Sequence, residues 1–184
     1  MALRTILTDN DPALHKVCRP VTSFDDRLHD LIDDLKETLA EANGAGLAAP
    51  QVGILRRVVI VVDDEDNMLE LVNPEIISQE GEQEGFEGCL SVPGRWGIVK
   101  RPQKARVRAQ DRNGNFFEVE GEDIVARCFC HELEHLDGHL FTEHADRLYT
   151  NEELDEMIQA QEEGCACGFC SWAPLILRCP LWKL

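Results

Sequence analysis

Cys130-His131-Glu132-Leu133-Glu134-His135-Leu136-Asp137-Gly138 is the stretch on which the reading of this 184-residue chain turns. It contains H-E-x-x-H. On an α-helix, residues four apart stand one above the other on the same face. His131 and His135 can therefore grip one metal ion together. Glu132 follows the first histidine, so its carboxylate can reach a water on that ion. Two imidazoles and a carboxylate in this spacing point to metal-assisted hydrolysis. The bland alternative is a pair of buried core histidines. Residues 123–137 read as a helix, with Ile124, Val125, Cys128, Phe129 and Leu136 at apolar positions and Gly138 at its stop.

A catalytic site of this kind needs three protein ligands and one open position. The extended pattern with a third histidine fails, because its last position is Phe141 and His139 comes two residues early. A downstream glutamate would be Glu152, Glu153 or Glu156, but these read as one acidic helix face. Cys89 is the preferred ligand. It sits in a Gly-rich stretch (Gly81, Gly85, Gly88, Gly94), read as a loop whose backbone can come close to a helix.

Composition narrows the classes. The chain is 43% hydrophobic, ordinary for one globular domain. No apolar run reaches the ~18–20 residues that cross a bilayer, and the first residues lack a signal-peptide pattern. These features predict a cytoplasmic protein. A net charge of −17 argues against a nucleic-acid surface. The basic residues between Arg95 and Arg112 alternate as a solvated strand face does; their other reading is contact with an extended peptide. Eight cysteines without a secretory signal do not predict disulfides. Cys128 and Cys130 read as small core hydrophobes.

Along the chain, residues 1–22 read as loop. Ser23 to Asp26 reads as a capping box opening a helix, with Leu28, Leu31, Ile32, Leu35 and Leu39 at helical spacing and a stop at Gly44. Residues 44–53 form a Gly/Ala loop. Residues 57–63 are a β-branched strand, and Asp63 to Asn67 an acidic turn without the spacing of a calcium loop. Residues 69–77 are extended but broken by Pro74. Ala105, Val107 and Ala109 alternate with charges, and Asn113-Gly114 turns the chain back through Phe116 to Glu120, a hairpin signal. Thr150 to Glu153 caps a last helix, whose apolar stripe is Leu154, Met157 and Ile158. The fold class that follows is α+β: antiparallel sheets packed around a central helix carrying H-E-x-x-H, with a helix at each end.

At residue 164 the composition changes. Residues 165–184 contain no acid, four of the eight cysteines (Cys165, Cys167, Cys170 and Cys179) and two of the three tryptophans. The spacing matches no standard zinc or iron–sulfur pattern. The expected organisation is a catalytic domain over 1–164 and a Cys-rich tail over 165–184 outside it.

Three blocks resemble the peptide deformylases: Gly44-Ala45-Gly46-Leu47-Ala48-Ala49-Pro50-Gln51-Val52-Gly53, Glu87-Gly88-Cys89-Leu90-Ser91, and His131-Glu132-Leu133-Glu134-His135-Leu136. They come in that family's order and at similar spacing. The resemblance implies the same α+β fold. It implies metal ligands Cys89, His131 and His135, and Glu132 as the proton carrier. Oxyanion donors would be the Gln51 amide and the Leu90 backbone N–H. It implies removal of the N-formyl group from the initiator methionine of nascent polypeptides, releasing formate, with Fe(II) or else Zn(II) or Ni(II). Gly46, Leu90 and Cys128 are candidate walls of the substrate pocket. Two residues depart from the family pattern: Cys130 stands where Gln is usual, and Glu134 where Asp is usual. Glu134 is expected to pair with Arg101. The rivals are a thermolysin-like protease and a non-catalytic metal-binding protein.

Overall fold

The computed structural model describes residues 2–163, so the four tail cysteines lie outside the described residues. Three helices and eight strands follow in the order α1 (Asp26–Glu41), β1 (Gly46–Ala48), β2 (Val58–Val62), β3 (Met68–Glu80), β4 (Gln83–Cys89), β5 (Val92–Arg101), β6 (Lys104–Gln110), β7 (Phe116–Glu122), α2 (Asp123–Asp137), β8 (Leu148–Thr150) and α3 (Asn151–Glu163). The strands form a five-stranded sheet, β1-β2-β3-β6-β7, and a three-stranded sheet, β4-β5-β8. Every strand pairing is antiparallel. The expected α+β architecture is the observed one.

α2 is the axis of the molecule. Val125, Ala126, Phe129 and Leu136 on one side are buried against β2, β6 and neighbouring residues of the large sheet. Phe129 and Leu136 are fully enclosed, and each contributes roughly 1.5–3 kcal/mol by leaving water. The helix ends at Gly138, whose φ of 84° places it in the left-handed region that stops helices. α1 covers the other face of the large sheet through Leu28, Ile32, Leu35 and Leu39, which pack with Leu47, Val58 and Ile60.

Four local readings change. The N-cap of α1 is Asp25, not Ser23: the Asp25 carboxylate accepts from the Leu28 N–H, a job for which Asp is as well suited as Ser. The helix ends at Glu41, and the left-handed residue after it is Asn43 rather than Gly44. Residues 44–53 are not simply a loop, because Gly46–Ala48 pairs with β2 and Ala49–Val52 makes a 3-10 turn. β3 runs past Pro74. The missing N–H is absorbed by a register shift between Val72 and Glu75, with Asn73 at φ 51°.

The acidic turn between β2 and β3 is closed by Asp63, which accepts from the N–H groups of Glu65 and Asn67. The basic strand face is solvated, as its alternation suggests. Lys104, Arg106 and Arg108 of β6 stand opposite Glu122, Glu120 and Glu118 of β7 and pair with them. β7 is an edge strand of its sheet. Arg101 is the exception in the basic stretch, being buried. No described helix is long and apolar enough to cross a membrane.

Candidate metal centre

The hairpin β4–β5 lays its tight end against α2. Cys89 is the last residue of β4, not part of an open loop, and the register shifts there as the chain turns through Leu90 and Ser91. That turn puts the Cys89 sulfur 3.3 Å from His135 Nε2. Cys89, His131 and His135 are all buried, and their ligand atoms lie within 4.8 Å of one another. Among the described residues no other group of His, Cys, Asp and Glu is brought together in this way. Glu152, Glu153 and Glu156 stand apart: Glu152 and Glu156 are exposed, and Glu153 pairs with Arg147 and caps α3 through the Thr150 N–H.

The set suits a metal ion. One thiolate and two imidazoles are standard ligands, and bonds of ~2.3 Å to sulfur and ~2.1 Å to nitrogen bring ligand atoms about as close as the sulfur and Nε2 stand here. His131 turns its Nδ1 to Glu87 Oε2 at 3.1 Å, which leaves Nε2 for the centre. Burial opposes charge on both rings. At His131 the Cys89 sulfur and the Glu87 carboxylate overcome it and hold the ring well above the ordinary 6.5. At His135 burial, reinforced by His131, drives the ring well below it.

Glu132 stands beside this trio on the next position of α2. It is buried, and its Oε2 has no hydrogen-bond partner. A buried carboxylate oxygen without a partner is costly unless a water or reactant completes it. Burial pushes this carboxyl up to about 7, against the pull of His131 and with a further push from Glu87. A group poised near neutrality can both take and give a proton.

Gly46 explains the glycine of the first block. A Cβ there would lie 2.6 Å from Glu132 Oε1 and 2.8 Å from Cys128 Sγ. Gln51, at the end of the same segment, is buried. Its Oε1 accepts from the Ala48 N–H at 2.8 Å, which turns its amide nitrogen to Ser91 Oγ (3.1 Å) and to the Cys89 sulfur (3.5 Å). A narrow cavity of about 40 Å³ opens beside these groups, lined by Gly46, Leu90, Ile124, Arg127, Cys128 and Glu132 among others. All eight residues singled out in the sequence thus come together.

Reading the sequence missed the support of the centre. Glu87 is a buried carboxylate held by Arg101, Arg127 and His131. Burial alone would raise it, but the bonds from His131 and Arg101 hold it far below the usual carboxylate range. The signal that points to it is its place two residues before Cys89, since residues 87 and 89 of one strand face the same way. Ser91, in the same block, likewise shows its role only in the fold, where its hydroxyl accepts from Gln51 Nε2. The expected Arg101–Glu134 pair is present and two-pronged, with Nη2 to Oε2 at 2.9 Å.

A family model described as polypeptide deformylase matches residues 3–151. The chain belongs to that family. Peptide deformylase of Agathobacter rectalis is 56% identical to it over 143 residues, 78% of this chain and 90% of that one. The crystal structure of a peptide deformylase from Legionella pneumophila superimposes with a TM-score of 0.75 at 40% identity, covering 88% of this chain and 98% of that one. A Met-Ala-Ser-bound class I type b peptide deformylase from Acinetobacter baumannii gives a TM-score of 0.73 at 33% identity, over 78% and 98% of the two chains. The deformylases are metal-dependent hydrolases, and the activity of this chain is removal of N-formyl groups. Neither a glutamate-ligated protease nor a metal-binding module without an activity fits it.

Proposed function

We propose that Cys89, His131 and His135 hold one divalent ion, and that Glu132, Gln51 and Leu90 carry the hydrolysis of the N-formyl group on the first methionine of nascent polypeptides. The observation that carries this is the buried Glu132 oxygen without a partner, next to a three-ligand set. Fe(II) is the proposed ion; Zn(II) and Ni(II) suit the same thiolate and imidazole donors. When bound, such an ion supplies Lewis acidity and lowers the pKa of a ligated water.

The side chains supply the rest. Glu132 accepts a proton from the attacking water and passes it to the departing amine. The water oxygen bonds to the formyl carbon as the carbon–nitrogen bond breaks, giving formate and a free amino terminus. The Gln51 amide is fixed through Ala48 and Ser91; it and the Leu90 N–H would donate to the oxygen that gains charge. Gly46 and Cys128 bound the substrate, and the adjoining cavity takes the methionine side chain. The Acinetobacter relative, solved with Met-Ala-Ser, supports this reading, since that peptide has the form of a deformylated product. The catalytic unit is residues 1–164, the tail lies outside it, and the enzyme works in the cytoplasm without binding nucleic acid directly.

The test is formate release from formyl-Met-Ala-Ser, with metal content measured on the same sample. Glu132→Gln should keep its metal and lose ~10²–10⁴-fold in turnover. Near-normal turnover by that variant at full metal occupancy would remove Glu132 from the chemistry.

A further inference from the structure

Arg127 stands four residues before His131 on α2 and lies between two things of different purpose. On one side it lines the cavity beside the metal centre. On the other its Nη1 donates to Glu87 Oε1 at 2.9 Å and to the Val99 carbonyl at 3.0 Å. The opposite oxygen of that carboxylate, Oε2, bonds His131 Nδ1 at 3.1 Å. We propose that Arg127 is a positioning residue that couples occupation of the side-chain cavity to the orientation of His131. The inference rests on the proposed placing of the substrate's first side chain in that cavity.

The geometry gives the coupling a direct path. The cavity is narrow, about 40 Å³, so an occupant that fills it presses on its walls. Glu87 and His131 are themselves part of that wall, so an occupant meets them directly. The Arg127 guanidinium adds a second route, because it passes the contact on to Glu87 through Nη1. Glu87 cannot absorb it freely, because Arg101 grips both of its oxygens from the far side at 2.8 and 3.0 Å. A displacement of Arg127 therefore changes how Glu87 shares itself between Arg101 and His131. Carboxylates bonded to a ligating imidazole set its orientation and basicity, and changing them costs ~10–100-fold in activity or metal affinity.

A second observation points the same way. Gly85 of β4 gives the guanidinium its room: a Cβ at that position would come within 3.2 Å of Arg127 Nη2. The hairpin and the arginine are thus in close contact at Gly85. A merely structural staple between β4–β5 and α2 would affect stability but not the dependence of turnover on the substrate's side chain.

The experiment uses the full-length holoenzyme with formyl-Met-Ala-Ser and formyl-Ala-Ala-Ser, whose methyl group leaves the cavity unfilled. In the parent enzyme the alanine substrate should lose about tenfold or more in kcat, beyond its rise in KM, within the usual span of coupling between sites. In Arg127→Leu the two substrates should differ in KM alone, with kcat values within about threefold. Arg127→Lys should restore part of the kcat difference, since an ammonium can still reach Glu87. Cobalt-substituted enzyme gives a readout apart from activity. Its visible bands should shift when Met-Ala-Ser is added, not when Ala-Ala-Ser is added, and Arg127→Leu should bind Met-Ala-Ser by calorimetry without the shift. If Arg127→Leu does not fold, Gly85→Ala presses on the same guanidinium, which must give by a few tenths of an ångström, and should lower kcat for the methionine substrate. No formate release by the parent would sink the deformylase reading itself. Formate release with the kcat difference and the spectral shift intact in both variants would overturn only the role of Arg127.

Discussion

Replacing Gly46 with alanine adds one methyl group, at a place where the consequences can be worked out. The new Cβ would lie 2.6 Å from Glu132 Oε1, 2.7 Å from its Cγ and 2.8 Å from Cys128 Sγ. All three contacts are too short to persist, and the groups around them are buried. β1 is paired with β2 and cannot retreat without breaking that register. Glu132 gives way most easily, because its Oε2 is anchored to no protein group. Overpacking of this kind costs ~1–3 kcal/mol, a fall in Tm of roughly 2–12 °C for a chain this size. Turnover should suffer more than stability. A shift of ~1 Å in a reacting group costs about 10²-fold. Gly46→Ala should therefore remain folded with its metal and lose about a hundredfold in kcat for formate release from formyl-Met-Ala-Ser. Adding Cys128→Ala removes one of the three clashes and should return part of the loss. A Gly46→Ala enzyme with parental kcat and parental Tm would refute the placing of Glu132 against this glycine.

The third ligand can be seen directly: cobalt-substituted enzyme should show a sulfur-to-metal charge-transfer band that disappears in Cys89→Asp, whereas Gln at 152, 153 or 156 should leave band and activity intact. Ending the chain after Gly164 should preserve folding, deformylation and metal stoichiometry; loss of one ion per chain would give the tail cysteines a ligand role. Glu70, bonded to Arg112 and Lys36, has a carboxyl held below its ordinary 4.5 because those bonds outweigh its burial. A lowered folded-state pKa stabilises the protein above the unfolded value and ceases to do so as pH falls through the folded one. Glu70→Gln should thus be less stable than the parent by roughly 1–2 kcal/mol at pH 7, and denaturant titrations should show the gap closing below pH 4.5; a gap constant down to pH 3 would count against the pairing.

The parts of this protein that could be read in its sequence are those whose evidence is local. The helix carrying His131 and His135 announces itself by a 3.6-residue period and a terminal glycine, and β2 by a run of β-branched residues. β4 did not, because Gly85 and Gly88 hide its alternation and have little intrinsic preference for a strand. With β4 hidden in this way, Cys89 reads as a loop residue, and Glu87, though part of the second block, shows no role of its own. β1 and β8, three residues each, were invisible for a similar reason: they are strands only because β2 and β5 pair with them. The start of α1 was misplaced by two residues because several residues near it can cap, and only the fold decides which carboxylate meets the free N–H. Arg101–Glu134 was anticipated from charge, but its service to Glu87 depends on how the hairpin lies on the helix, which no short window of sequence contains.

The outer margin of the large sheet has a consequence for how these molecules meet one another in a crowded solution. β7 leaves one side of its backbone without a neighbouring strand, the usual starting point for fibrous association. Glu118, Glu120 and Glu122 project together from one face of that strand, each already matched to a base on β6. A second copy adding its own β7 in antiparallel fashion would bring another three glutamates alongside them, with no unmatched lysine or arginine between the rows. Like charges opposite one another across strands repel. The ladder that settles the strand into its own sheet thereby makes it a poor template for a stranger, and adds local protection to the general repulsion from a net charge of −17.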